Sequence, residues 1–182
     1  LNPNDPVAQY NLGVVLQAGS RFPDAIARYS RALELAPNLV EALYNLGVVH
    51  EECSDPAAAE AAYRRVLALQ PSHADALNNL AGLLLFSKRA SEAAVLYQRV
   101  IETSPSRIDA LHNLALAMES MGKLPEAEDC CRRALAAEPG FISARNTLGH
   151  VLQAQGRLTE AEAVYREAVA MCPPEGRHRG GR

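Results

Sequence analysis

Asn11, Asn45, Asn79 and Asn113 stand 34 residues apart in this 182-residue chain, and Thr147 continues the column. A carboxamide carries two N–H donors and a carbonyl acceptor, so a row of them can hold the backbone of an extended polypeptide whatever its side chains. Each such bond contributes a net ~0.5–1.5 kcal/mol, so four or five together reach roughly micromolar affinity. The same column could instead tie helices or loops together, because polar side chains often bond nearby backbone. Tyr10, Tyr44, Asn78 and His112 stand immediately before the asparagines, and Glu41, Asp75 and Asp109 stand four residues before the last three. With Glu51, Glu52 and Glu119 these give an acidic neighbourhood, without Lys or Arg at the expected inward positions of the first four rows. That charge suits a neutral or basic ligand, or else a solvated acidic face.

Catalytic chemistry has no comparable support. The chain contains no glycine-rich nucleotide fingerprint, no His-Glu-x-x-His and no Gly-x-Ser-x-Gly, so it is expected not to be an enzyme and to need no cofactor. His112 and His150 are separated by one 34-residue period plus one helical turn. Two histidines without a third ligand seldom hold a metal, and they read as polar lining residues. Cys53, Cys130, Cys131 and Cys172 fall in four different columns. They lack the spacing of a metal clip and read as thiols in a reducing compartment. With no secretory signal visible, the expected location is cytoplasmic.

The net charge of -3 hides an asymmetry, since Glu175, Arg177, Arg179 and Arg182 lie in the last eight residues and the remainder carries 15 basic against 20 acidic groups. A mildly acidic body is a poor partner for nucleic acid, whose binding depends on Lys and Arg neutralising phosphates. The longest clean apolar run, Leu80 to Phe86, is far short of the ~18 residues that span a bilayer, so no membrane crossing is expected.

The elements that position these residues follow from the period. Pro3, Pro37, Pro71, Pro105, Pro139 and Pro173 share one column without insertion or deletion, and YNLGVV occurs at both 10–15 and 44–49. Ala8, Ala42, Ala76, Ala110 and Ala144 form another column, as do Leu12, Leu46, Leu80, Leu114 and Leu148. Gly13, Gly47, Ala81, Ala115 and Gly149 keep a position small, Ala25, Ala59, Ala93, Ala127 and Ala161 keep another, and Tyr29, Tyr63, Tyr97, Cys131 and Tyr165 follow four residues later. Within a row the apolar positions recur at threes and fours, the spacing of one helix face, and nothing alternates in twos. Two helices fit each row. In the first, one runs from Pro6 to about Ala18, Gly19-Ser20-Arg21 breaks it, and the next starts at Pro23 and stops near Pro37. Gly122 and Gly156 mark the same break in later rows. The small columns are expected where helix backbones approach most closely. A hairpin of this length cannot bury both apolar faces alone, so the rows must stack as a solenoid.

These columns resemble the tetratricopeptide repeat (TPR) family, whose 34-residue helix-turn-helix signature runs Leu-Gly, Ala-x3-Phe and Pro. Leu12-Gly13, Ala25, Tyr29 and Pro37 carry the likeness in the first row. It departs in having no Trp, Tyr in place of Phe, and Cys131 in the aromatic column, which should leave the fourth hairpin less well filled. The resemblance implies an all-α fold, a right-handed α-α superhelix of about five repeats spanning residues 6–39, 40–73, 74–107, 108–141 and 142–173. Residues 1–5 read as the end of a preceding repeat and 174–182 as a disordered basic tail. It further implies a non-catalytic interaction scaffold that binds a peptide or partner segment along its concave side, through Asn11, Asn45, Asn79 and Asn113. The carboxylate clamp of chaperone-binding members is not expected, because its basic places hold Tyr10, Val14, Asn45, Asp75 and Asn79. His73-Ala74-Asp75-Ala76-Leu77-Asn78-Asn79-Leu80 is similar to the arrays of O-GlcNAc transferases and SPINDLY-type proteins. A substrate-recognition arm of a larger O-glycosyltransferase is therefore an alternative, and the sequence after Met171 mildly disfavours a catalytic domain downstream. Self-association through uncapped ends of the array is a third reading.

Overall fold

The computed structural model describes residues 4–171, so the readings of residues 1–3, of Cys172 and Pro173, and of the 174–182 tail lie outside it. Regular structure among the described residues is helical throughout. The helices are α1 (Pro6–Ala18), α2 (Phe22–Leu35), α3 (Val40–Glu52), α4 (Pro56–Leu69), α5 (Ala74–Phe86), α6 (Ala90–Thr103), α7 (Ile108–Ser120), α8 (Leu124–Ala137), α9 (Ile142–Ala154) and α10 (Leu158–Met171). They pair as five hairpins in two compact units, α1–α6 in one and α7–α10 in the other. In the first unit α1 pairs with α2, α3 with α4 and α5 with α6, while α2 packs on α3 and α4 on α5. In the second α7 pairs with α8 and α9 with α10, and α9 packs against both α8 and α7.

Every hairpin turns by the same hydrogen-bond pattern. Ser20 N–H donates to the Gln17 carbonyl at 2.8 Å and Arg21 N–H to that of Leu16 at 2.9 Å. This reciprocal pair closes the last turn of α1 and uses carbonyls that the helix end leaves open. The same pairs recur at Ser54 and Asp55, Lys88 and Arg89, Gly122 and Lys123, and Gly156 and Arg157. The residue at the bend has φ of +56°, +58°, +61°, +72° and +78° in the five hairpins. The left-handed residue of the first hairpin is therefore Ser20, one position beyond Gly19, whose φ is -85°. A side chain in this region costs roughly 1–2 kcal/mol relative to the right-handed form, a cost that Gly122 and Gly156 avoid. Successive hairpins are joined by a tight turn with proline at its second position. Leu39 N–H reaches the Ala36 carbonyl at 3.1 Å across Pro37, and the equivalent bonds cross Pro71, Pro105 and Pro139.

Packing inside each hairpin depends on a slot for one ring. A Cβ added to Gly13 would meet Tyr29 at 2.6 Å, one on Gly47 would meet Tyr63 at 2.6 Å, and one on Gly149 would meet Tyr165 at 2.5 Å. The small column thus makes room for the aromatic of the following helix, and a neighbouring backbone is not what it admits. Where the column holds Ala115, the opposing residue is the smaller Cys131, fully buried, so the lost ring is accompanied by an added methyl. Ala81 faces a full tyrosine, and there the next residue is Gly82, whose added Cβ would lie 3.6 Å from the Tyr97 hydroxyl. The leucine column is buried in Leu80, Leu114 and Leu148 but is 43% exposed at Leu12 in the first hairpin.

Ion pairs stitch neighbouring hairpins within each unit. Arg89 reaches Glu60 of α4 at 2.8 Å and Glu92 at 2.7 Å, and two periods later Arg157 reaches Glu128 of α8 at 2.8 Å and Glu160 at 2.6 Å. Solvent at the arginines screens these pairs, so they fix register more than they stabilise. Arg65 and Arg99 donate to the carbonyls of Pro37 and Pro71, anchoring the turns between hairpins.

Candidate functional site

In the α1–α6 unit the first helix of each of the first two hairpins places a Tyr beside the Asn of the next. Asn45 Nδ2 donates to the Tyr10 hydroxyl at 3.3 Å, and Asn79 Nδ2 donates to the Tyr44 hydroxyl at 3.3 Å. Both pairs are separated by 35 residues, one period plus one position, so the contact repeats because the helices repeat. Asn79 Nδ2 also lies 3.2 Å from the Tyr63 hydroxyl. Tyr63 in turn donates its proton to the Glu51 carboxylate, on the penultimate residue of α3. The first hairpin has an amide in place of the acid, since Tyr29 donates to Gln17 Oε1 at 2.8 Å.

Aromatic rings support these bonds. Tyr10 lies 6.0 Å from Tyr29 and Tyr44 lies 5.9 Å from Tyr63, centroid to centroid. His73 stacks on Tyr44 at 5.2 Å while its Nδ1 accepts from Ala76 N–H at 3.2 Å, capping α5. That bond places the ring proton on Nε2. Burial pushes the Tyr29 phenol up to about 12, with Tyr10 and Glu52 adding to the rise. Burial raises the Tyr63 phenol further still, and the bond to Glu51 reinforces it. Both phenols are therefore neutral donors at physiological pH.

Asn45 and Asn79, both half-buried, tie helix to helix through tyrosine hydroxyls rather than through backbone, and Asn11 is exposed. Asn78 is half-buried, and its Oδ1 is buried with no hydrogen-bond partner. Glu41 and Asp75 are exposed in the first turns of α3 and α5.

In the α7–α10 unit the corresponding residues meet other partners. His112 Nε2 is 3.0 Å from Thr147 Oγ1, the same one-period-plus-one pairing with both residue types changed. Its ring meets Phe141 edge-on at 5.3 Å, and burial lowers its pKa, so the ring is neutral. His150 lies against the Tyr165 ring at 6.0 Å, so the two histidines engage different neighbours. Asp109 is exposed and paired with Arg107 at 3.2 Å, so its charge is met by a cation that the inward positions did not include. Asn113 is half-buried on α7. Cys131 stands where a phenol would be needed, so no tyrosine-centred relay forms in the fourth hairpin.

Reading the sequence as a row of amides missed Tyr29, Tyr63 and His73 as partners. A signal was present for two of them. Gln17 and Glu51 stand twelve residues before Tyr29 and Tyr63, and a polar residue at that interval sits against the tip of the ring.

Four family models described as tetratricopeptide repeat match residues 4–72, 54–108, 87–140 and 141–172. Among curated proteins none matches the sequence. Among solved structures, one of MamA is 25% identical and superposes with a TM-score of 0.87 over 91% of each chain. YrrB, described as a TPR protein with an unusual peptide-binding site, is 21% identical with a TM-score of 0.87, covering 96% of this chain and 90% of its own. PilF of Pseudomonas aeruginosa is 24% identical with a TM-score of 0.76, covering 93% and 78%. At their identities YrrB and PilF speak for the fold alone. No helix among the described residues is long and apolar enough to cross a membrane.

Proposed function

The chain belongs to the tetratricopeptide repeat family, and we propose on that premise that it is a non-catalytic scaffold holding an extended peptide or partner segment against α1, α3 and α5. The observation that carries this reading is the recurrence of the Tyr10–Asn45 and Tyr44–Asn79 bonds, which set amides of successive hairpins in one register. The ligand lies along Asn11, Asn45 and Asn79, beside Tyr10, Tyr44 and Asn78, with Glu41 and Asp75 at its margin. Asn113, His112 and Asp109 offer a corresponding row on α7. The acidic margin favours a neutral to basic segment. The peptide-binding description of YrrB accords with this use of the fold.

Isothermal titration of peptides captured by the chain provides the test. Replacing Asn45, Asn79 and Asn113 together with Ala is expected to weaken binding by about ten-fold or more, the equivalent of one to two lost net hydrogen bonds. Because Asn45 and Asn79 also bond tyrosines, the variant is compared at a temperature where its circular dichroism matches the parent. Unchanged affinity in a folded variant rejects the row of amides as the binding element.

Self-association is a second reading, favoured by uncovered apolar side chains. Leu158 and Val169 of α10 are 64% and 73% exposed around a groove of about 440 Å³, and Val15 of α1 is 68% exposed. The equivalent Val49 and Val151 are fully buried by packing within their units. Sedimentation equilibrium is expected to show dimers or larger species as concentration rises, with Val169→Glu suppressing them. A monomer at all concentrations removes this reading.

A further inference from the structure

The orientation of the Asn79 amide can be deduced by elimination. The Glu51 carboxylate only accepts, and Tyr63 has a single proton, which it donates to Glu51. The Tyr63 oxygen can therefore only accept on its other side, and the Asn79 atom 3.2 Å away must be the amide nitrogen. The same nitrogen directs its second N–H at the Tyr44 hydroxyl, 3.3 Å away. Both donors of Asn79 are committed inside the protein, and what it turns outward is the carbonyl oxygen. Asn45 makes the corresponding bond to the Tyr10 hydroxyl, whereas Tyr29 beside it gives its proton to Gln17, an amide that can also donate, so the orientation is fixed by elimination at Asn79 alone.

The helices that carry these amides are also devoid of cations. α1, α3 and α5 contain no Lys or Arg, and they hold Glu41, Glu51, Glu52 and Asp75. We infer that Glu51 and Tyr63 fix Asn79 so that the amide at the centre of the row presents an acceptor, and that the ligand of this cation-free face is a donor-rich, Arg- or Lys-bearing extended segment. This rests on the proposed peptide-binding face and specifies its ligand class. Guanidinium and ammonium groups, together with backbone N–H, supply what the row lacks. A carboxylate-rich segment would leave acceptors facing acceptors, which disfavours it through uncompensated desolvation. A rotatable donor remains beside the row in the Tyr10 hydroxyl, suited to a ligand backbone carbonyl. Tyr63 and Glu51 thus act as positioning residues, through Asn79.

The probes are two labelled peptides of about twelve residues, serine alternating with arginine and serine alternating with glutamate, followed by fluorescence anisotropy. The parent chain is expected to bind the arginine peptide about ten-fold or more tightly than the glutamate one, as for bonds to a charged group. Glu51→Gln removes the obligate acceptor, so that residue 51 can also donate to Tyr63, the phenolic proton can turn onto Asn79, and the amide loses its fixed orientation. The preference should then fall well beyond the change in Glu52→Gln, which removes the same charge from the same helix. Tyr63→Phe keeps every charge and removes the bridge, and the preference should drop about three-fold or more. Equal effects of Glu51→Gln and Glu52→Gln, with none from Tyr63→Phe, would mean that net charge alone selects the ligand and would overturn the inference. Asn79→Ala separates the two levels: no loss for either peptide defeats the binding face itself, whereas equal loss for both defeats only its polarity. Exchange of the Asn79 side-chain protons, read by NMR in the unaltered chain, gives a test free of any folding defect. Two protected protons support the inference, and one rapidly exchanging proton overturns it.

Discussion

Tyr63→Ala is expected to destabilise the α1–α6 unit by about 3–5 kcal/mol, the usual cost of truncating a buried aromatic. The ring is fully buried, rests in the slot that Gly47 leaves open, and packs 5.9 Å from Tyr44. Nothing nearby can collapse into the space without moving α3 against α4, because a side chain at position 47 would have to come from a glycine. Truncation also leaves Glu51 and Asn79 without their shared hydroxyl, although both are only half-buried and water can replace part of that loss. With about 2–4 °C per kcal/mol for a chain of this size, the melting temperature should fall by roughly 6–20 °C. Tyr63→Phe removes the hydroxyl but keeps the ring and should cost about 1 kcal/mol. Equal losses for the two variants, measured by thermal denaturation followed by circular dichroism, would show that the relay and not the packed ring holds the hairpin.

Alkaline pH should unfold the chain cooperatively well before its exposed tyrosines account for the change. Cys131 has its thiol raised from 9.0 to about 12 and Tyr29 its phenol raised from 10.0 to about 12, both chiefly by burial. Tyr63 is raised beyond them, and Cys130 is raised as well. For each group the folded value lies above the unfolded one. Below the unfolded value both states keep the proton and stability is complete. As pH rises past about 9 for the thiols and 10 for the phenols, the unfolded chain sheds protons that the folded chain retains, and stability falls by about 1.4 kcal/mol per pH unit per group. The losses overlap between pH 10 and 12 and there approach a few kcal/mol per unit, comparable with the 5–15 kcal/mol that holds an ordinary domain. Helical circular dichroism and tyrosinate absorbance should therefore change together near pH 11. Full tyrosinate absorbance with the helices intact would show that water reaches these phenols in the folded chain.

Much of this architecture is legible in the periodic sequence. Two helices per period follow from apolar residues at threes and fours, and Pro6, Ala18 and Pro37 delimit the first hairpin as the structure does. The bend is less legible because its cause is a hydrogen-bond pattern rather than a residue type. Ser20, Ser54 and Lys88 take a backbone form that glycine prefers, held there by reciprocal bonds from residues 20 and 21, 54 and 55, and 88 and 89. Glycine at 122 and 156 reveals the position, and Gly19, adjacent to it, points one residue too early.

The candidate site is legible in place but not in wiring. That the asparagines share a face follows from their spacing alone. That Asn79 spends its donors on Tyr44 and Tyr63 depends on side chains from the preceding hairpin meeting at one point, and no single window of sequence contains them. Tyr63 looks like core filling because its ring is core filling, and only its hydroxyl belongs to the site. In the fourth hairpin the same column shows how easily the two roles part: Cys131 serves the core and brings no hydroxyl.

The matched sizes of the ring slot have an evolutionary corollary. A crossover that joins α3 to α8 would set Gly47 against Cys131 and leave a void, while one joining α7 to α4 would set the Ala115 methyl against the Tyr63 ring. Exchange at the proline turns transfers both halves of each pair intact. Duplication and shuffling are thus tolerated between hairpins and penalised within them, making the hairpin the smallest heritable module of this chain.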